Sequence, residues 1–263
     1  MNRIDKKFKE LKKQGKKAFI AFLTCGYPNI TITEKLVLGL DKSGVSLIEL
    51  GVPFSDPIAD GPIIQEASNK ALKNNITLYS TLNLVKKLRR KTELPLCVMT
   101  YYNPVFVFGE ENFIRKAKDA GLDGLIIPDL PPEEAGSLFK ACRRYGVYLI
   151  LFLAPTTSRQ RAKSIVKKAR GFIYYVSLTG VTGSRKGLSA DLLENLRQIK
   201  RMTKVPVCAG FGISRPEHVK EVFKAADGAI VGSAIIEKIK QNIGRRDLVQ
   251  KVSSFTRGLM DVR

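Results

Sequence analysis

Short apolar runs and longer amphipathic stretches alternate along this chain from one end to the other. The runs expected to form strands are Ala18–Thr24, Ser46–Leu50, Leu96–Thr100, Gly124–Ile127, Val147–Leu153, Phe172–Ser177, Val207–Phe211 and Gly228–Val231. Helical patterns between them cover Thr31–Lys42, Leu78–Arg90, Asn112–Ala120, Pro132–Tyr145, Arg159–Ala169, Asp191–Arg201 and Pro216–Ala225. A strand that pairs again only after a helical crossover must run parallel to its neighbour. Eight such strands in 263 residues predict an α/β fold, a closed (β/α)8 or TIM barrel spanning residues 1–263 as one domain. The competing architecture is a doubly wound open sheet. That fold calls for a phosphate-binding glycine loop straight after the first strand, and Cys25-Gly26-Tyr27-Pro28 is not one. Ahead of the first strand, Ile4, Phe8 and Leu11 repeat at helical spacing among lysines, which adds an N-terminal amphipathic helix with its basic face in water.

The formal charge of +21 raises the question of a polyanionic partner. Lysines and arginines recur on nearly every expected helix, Lys35, Lys86, Lys116, Lys140, Lys167 and Lys224 among them. A nucleic-acid surface concentrates its charge into a stripe and interleaves aromatics, so this dispersal reads as solvated outer faces. Cys25, Cys97, Cys142 and Cys208 lie in separate segments without metal-ligand spacing, as buried thiols of a reducing compartment do. The lone histidine, His218, follows a Pro-Glu helix start and reads as a capping or solvated residue. No linker, repeat or low-complexity block interrupts the chain. The first residues lack the apolar core of a secretory signal, and no run approaches the ~20 apolar residues that span a bilayer. A soluble protein of a bacterial cytoplasm, or of an organelle interior such as a plastid, is expected, with neither membrane nor nucleic acid as partner.

The segment Ile48–Gly61, IELGVPFSDPIADG, carries the chemistry. Glu49 closes the second expected strand, and a proline-punctuated loop brings two further acids, Asp56 and Asp60. Strand cores rarely hold an acid. One at a strand's C-terminal end, facing a loop of acids, suits paired proton transfer, and it equally suits a buried glutamate satisfied by an arginine or lysine. In a (β/α)8 barrel the active site is built from loops at the C-terminal ends of the strands. Tyr101, Asn103 and Pro104 fall there after the third strand, and Pro128-Asp129-Leu130-Pro131 after the fourth. The sixth strand runs into the Gly-rich stretch YYVSLTGVTGSRKG, long enough for a lid. Gly210, Gly212, Gly232 and Ser233 cluster after the last two strands, where backbone N–H groups and a helix start at Ser233 can receive a phosphate; tight turns would use the same glycines.

Glu49, Gly51, Phe54, Ser55, Asp56, Pro57, Asp60 and Gly61 stand in the pattern of the tryptophan synthase α chain family, which the sequence resembles over essentially its full length. The resemblance implies reversible aldol cleavage of indole-3-glycerol phosphate to indole and glyceraldehyde 3-phosphate, with no metal or cofactor. It implies Glu49 as proton carrier, Asp60 as acceptor of the indole N–H, and Tyr174 as the active-site tyrosine, counting back from Gly-Val-Thr-Gly. It also implies Thr182 closing over Asp60, with Gly183, Gly212, Gly232 and Ser233 on the phosphate. Phe22, Met99, Ile126 and Phe211 would line the indole pocket, although each also fits ordinary barrel core. Leu178 and Thr179 depart from the family pattern, where several relatives carry an arginine and a small residue. The implied partner is the pyridoxal-phosphate-dependent β chain in an αββα complex, contacted through Asp56-Pro57 and Asn103-Pro104-Val105-Phe106. Three other readings remain open: a free-standing indole-3-glycerol phosphate lyase, a regulatory barrel, and a basic nucleic-acid-binding protein.

Overall fold

Eight parallel strands pair in sequence order, and the last returns to the first, so the sheet has no edge. The computed structural model describes residues 1–176, 190–210 and 212–262. The strands are β1 (Ala18–Thr24), β2 (Leu47–Gly51), β3 (Leu96–Met99), β4 (Gly124–Ile126), β5 (Tyr148–Leu153), β6 (Ile173–Val176), β7 (Val207–Gly210) and β8 (Gly228–Val231). Around them lie α1 (Arg3–Lys13), α2 (Ile30–Lys42), α3 (Pro62–Lys73), α4 (Leu78–Arg89), α5 (Tyr102–Phe108) and α6 (Glu110–Ala120). The series continues with α7 (Gly136–Tyr145), α8 (Arg159–Lys168), α9 (Ala190–Met202), α10 (Pro216–Ala225), α11 (Ser233–Lys240) and α12 (Leu248–Met260). The (β/α)8 barrel expected from the alternation is therefore the fold.

Strand side chains alternate between the barrel interior and the helical layer. Ile20, Leu47, Cys97, Ile126, Ile150, Phe172, Cys208 and Ile230 fill the interior as one cluster, while the outward residues pack under the helices. The floor of this interior, at the N-terminal ends of the strands, is sealed by α1. Ile4 is fully buried there. Its methyls sit so close to Gly124 and Gly171 that a Cβ at either position would lie 3.1 Å and 3.3 Å from it. Phe8 packs on Phe172 with ring centroids 6.1 Å apart. Asn2 caps the helix and donates to the carbonyls of Asp123 and Gly146, pinning α1 to β4 and to the turn before β5. Asp123 in turn pairs with Arg3 and Arg89 at 3.3 and 2.9 Å. The expected amphipathic N-terminal helix is present, and its apolar face is the plug of the barrel. The four cysteines are free and buried, and His218 accepts the Ser214 N–H at the start of α10.

Three helices fall where none is expected from the pattern: α3, α5 and α12. The segment Tyr102–Phe108 falls among the loops expected after the third strand, yet it is helical, and Pro104 lies in its first turn, where no backbone donor is needed. The Asp129 carboxylate, from the loop after β4, accepts the Tyr102 N–H at 2.9 Å and so starts α5 from outside. Glu49 is the middle residue of β2 rather than its end. Gly51 continues the strand, pairing with Thr24 and Met99. Only hydrogen fits at Gly51, because the Phe22 ring would lie 2.5 Å from a Cβ there. Ser177 and Phe211, which close the sixth and seventh expected strands, lie outside the described residues.

Candidate active site

The end of the barrel opposite α1 gathers the acids. Glu49 on β2 lies beside Phe22 of β1 and Cys97 of β3 in register, and it is fully buried. Neither carboxylate oxygen has a hydrogen-bond partner among the described residues. Among the described residues no arginine or lysine answers Glu49. An isolated buried carboxylate keeps its proton, since ionising it without solvent or counter-charge costs several kcal/mol. Burial first, and the charge of Asp60 second, push the Glu49 carboxyl up to about 8.

Asp60 reaches this end of the barrel on the loop between β2 and α3. The loop is held by short-range bonds: the Asp60 N–H donates to the Pro57 carbonyl at 3.0 Å, and the Gln65 amide donates to the Asp60 carbonyl at 2.8 Å. Pro62 at the first helical position then starts α3, fixing the direction in which the chain leaves. Burial raises the Asp60 carboxyl to about 6, and a hydrogen bond from the Tyr101 hydroxyl opposes the rise. Tyr101 is a residue the sequence places at the mouth without a role. It is buried, it accepts the Ala59 N–H at 2.9 Å, and it stacks on Phe54 with centroids 5.0 Å apart. Its hydroxyl thus clamps the loop one residue before Asp60. The only sequence signal for it is its position just past β3. Asp56, the third acid of the segment, is exposed and its carboxylate accepts the Ser55 hydroxyl, so the structure sets it apart from Glu49 and Asp60.

Tyr174 on β6 faces inward and packs against Phe152 at 4.9 Å. Burial and then the charges of Glu49 and Asp60 hold its phenol well above the usual tyrosine range, so it remains a donor. Its hydroxyl lies over Gly210, where a Cβ would come within 2.9 Å. Tyr175 points the other way, into the helical layer, as strand alternation requires.

The remaining positions divide. Phe22 sits between Gly51 and Gly232, with a Cβ at Gly232 falling 3.4 Å from its own Cβ, so β1, β2 and the start of α11 converge on this ring. Gly232 caps α11 without a side-chain hydrogen bond, and Ser233 opens the helix, leaving its first N–H groups beside Phe22. Gly212 follows β7 with φ +49, a conformation that suits glycine. Ile126 is wholly buried in the interior cluster, and Met99 borders it part-exposed. Thr182, Gly183, Phe211, Leu178 and Thr179 lie outside the described residues. Among the described residues no group of three or more His, Cys, Asp and Glu side chains is arranged to hold a metal ion.

Two carboxyl groups set apart in acidity, Glu49 fully buried and Asp60 half-buried, at the C-terminal end of a closed (β/α)8 barrel and beside a helix N-terminus, define a barrel enzyme of acid–base chemistry. Comparison with known proteins makes the class specific. The sequence model of the tryptophan synthase alpha chain family matches residues 8–262. A tryptophan synthase alpha chain of Thermoanaerobacter sp. strain X514 is 45% identical over 262 residues, covering 100% of both chains. The crystal structure of tryptophan synthase subunit alpha from Legionella pneumophila superposes with a TM-score of 0.92 at 38% identity, over 100% of this chain and 98% of that one. A chain from the tryptophan synthase a2b2 complex of Pyrococcus furiosus superposes with a TM-score of 0.87 at 38% identity, over 92% and 97%. This chain belongs to the tryptophan synthase alpha chain family.

Proposed function

We propose that this protein cleaves indole-3-glycerol phosphate reversibly to indole and glyceraldehyde 3-phosphate, with Glu49 carrying the proton and Asp60 answering the charge on the ring. The observation that supports this best is Glu49 fully buried without a hydrogen-bond partner among the described residues, with Asp60 near enough that burial and its charge push Glu49 up to about 8 while Asp60 stays at about 6. Between those values Glu49 holds a proton while Asp60 is ionised. Glu49 can then protonate indole C3, and the positive charge that develops on the ring nitrogen is balanced by Asp60 accepting its N–H. The resulting Glu49 carboxylate takes the proton of the adjacent glycerol hydroxyl as the carbon–carbon bond breaks. The bonding electrons return to the ring, the hydroxyl carbon becomes the aldehyde, and Glu49 ends as it began. Tyr174 would donate to an oxygen of the substrate or of Glu49. The N-terminus of α11 at Gly232 and Ser233, with Gly212, would receive the phosphate, and Phe22 would pack on the indole.

A β chain is the proposed partner. Ile58, Phe106 and Val107 are exposed by 82%, 65% and 77%, on the loop of Asp56-Pro57 and on α5. Large apolar side chains exposed together at one end of a barrel suit an interface. The cytoplasm is the proposed location; no helix among the described residues is long and apolar enough to cross a membrane. Indole release from indole-3-glycerol phosphate, by the purified chain alone and with a cognate β chain, tests both parts. Slow release accelerated by the β chain is the expected result, and fast release indifferent to it would make the protein a free-standing lyase. Glu49→Gln is expected to lower turnover by on the order of 10²–10⁴-fold while leaving phosphate binding intact. Near-normal turnover in that variant would remove Glu49 from the chemistry.

A further inference from the structure

A carboxyl group ionises more readily wherever water reaches it, and a barrel offers water two ways to Glu49, the mouth and the base. In strand register Glu49 stands beside Cys97 of β3, and Cys97 beside Gly124 of β4. Gly124 has no side chain to complete the row. Its place is shared by the Cys97 thiol and by Ile4 of α1: a Cβ at Gly124 would lie 2.6 Å from Cys97 Sγ and 3.1 Å from Ile4 Cδ1. The gap at Gly171, just ahead of β6, is filled by Tyr148, Ile150 and again Ile4, whose Cγ2 would lie 3.3 Å from a Cβ there. Ile4 thus joins Leu47, Cys97 and Ile150 in the interior cluster although it comes from a helix. Along the register row, Cys97 stands between it and Glu49. The charged neighbours of Ile4 on α1 are engaged at the base, Arg3 with Glu93 and Asp123, and Asp5 with the Tyr148 hydroxyl at 2.6 Å. The titratable groups that face Glu49 are Asp60 from the loop after β2, Cys97 from β3 and Tyr174 from β6, while β1 presents Phe22.

We propose that Ile4 is a positioning residue for the cleavage reaction: it fills the gaps at Gly124 and Gly171 and so keeps water from reaching Glu49 through the base of the barrel. The proposal rests on Glu49 as the proton carrier. A smaller polar side chain at position 4 leaves a cavity beside Cys97, and a water held there by the new hydroxyl favours the ionised carboxylate. No charge changes in such a variant, so any shift in Glu49 reports hydration.

Carbon-13 NMR of the glutamate carboxyls in the full chain, with the Glu49 resonance assigned by its loss in Glu49→Gln, follows this titration without reference to turnover. In the parent chain Glu49 should titrate at about 8. In Ile4→Ser it should titrate about one unit lower. Ile4→Thr, which loses less volume, should shift it the same way by less, and Ile4→Val, of the same shape without the hydroxyl, by no more than about 0.3 units. Val219→Ala, at a buried position of α10 in the helical layer, should lower the melting temperature and leave the titration in place. The upper limb of kcat/KM should follow the resonance. At pH 9, Ile4→Ser should therefore be about tenfold further below its own plateau than the parent is. An unmoved titration in both Ile4→Ser and Ile4→Thr, or an equal shift in Val219→Ala, would overturn the proposal and leave Glu49 as the acid. A parent Glu49 titrating near 4.5 would overturn both together. A shifted resonance with an unmoved limb would remove Ile4, and Glu49 with it, from the reaction.

Discussion

Glu49→Gln should make the protein more stable, and by an amount that depends on pH. In the folded chain the Glu49 carboxyl titrates at about 8, against an ordinary value of 4.5. The sign follows from which state binds protons more tightly. The folded state does, so the favourable contribution is complete below about 4.5 and is lost as pH rises through about 8. At 1.36 kcal/mol per unit, the penalty is below about 1 kcal/mol at pH 5 and about 4 kcal/mol at pH 8. A glutamine amide has nearly the shape of the protonated acid and a similar shortage of partners, so the variant escapes the ionisation penalty and little else. All other titrating groups are common to both chains and cancel in the difference. The variant should therefore melt close to the parent at pH 5 and well above it at pH 8. For a chain of this length, about 2–4 °C accompanies each kcal/mol, so the gap should widen by roughly 6–12 °C between the two pH values. Paired thermal melts followed by circular dichroism at pH 5, 6, 7 and 8 measure it. A gap that stays constant across that range would show that Glu49 ionises as an ordinary carboxylate, and the acid–base argument would lose its foundation.

The same two acidities shape the rate profile: kcat/KM for cleavage should fall below about pH 6, as Asp60 takes up a proton, and above about pH 8, as Glu49 loses one. Asp60→Asn should abolish the lower limb and draw the upper limb downward, because the Asp60 charge helps to raise Glu49; an unmoved upper limb would mean the pair is not coupled. Tyr101→Phe removes the hydroxyl that holds Asp60 down and accepts the Ala59 N–H, so the low-pH limb should move up and stability should fall by about 1 kcal/mol. Gly51→Ala should cost about 1–3 kcal/mol in a denaturation experiment, because its methyl would meet the Phe22 ring at 2.5 Å.

The barrel was legible because its signal is repeated: each crossover gives the same alternation, and misplacing one boundary leaves the order of elements intact. The errors fall where a distant residue decides. Tyr102–Phe108 becomes helical because the Asp129 carboxylate, 27 positions away, supplies its first cap, and no local pattern announces that contact. The second strand run looks finished by Leu50, just past its acid. Yet Gly51 extends β2, because the neighbouring strand's Phe22 ring fills the place of a side chain. The α3 start, by contrast, carried its own mark in Gly61-Pro62 and could have been found. At the site, the motif singled out Glu49 and Asp60, and burial without partners is what distinguishes Glu49 from a structural glutamate. That property belongs to the closed barrel and to no segment of sequence. Tyr101 escaped assignment for the same reason, since its part is to hold a loop that the sequence places elsewhere.

The plug formed by α1 has a temporal side. This helix leaves the ribosome well before the surfaces that receive it. Ile4 rests against Gly124 and Gly171, and Phe8 against Phe172. For the time needed to translate some 160 further residues, at about 5–20 residues per second, an apolar face waits without its seat. The lysines that flank it, Lys6, Lys7, Lys9, Lys12 and Lys13, repel other nascent copies during that interval. Some of the positive charge that has no part in the chemistry of the barrel mouth can thus be understood as protection during synthesis, spent before the enzyme exists.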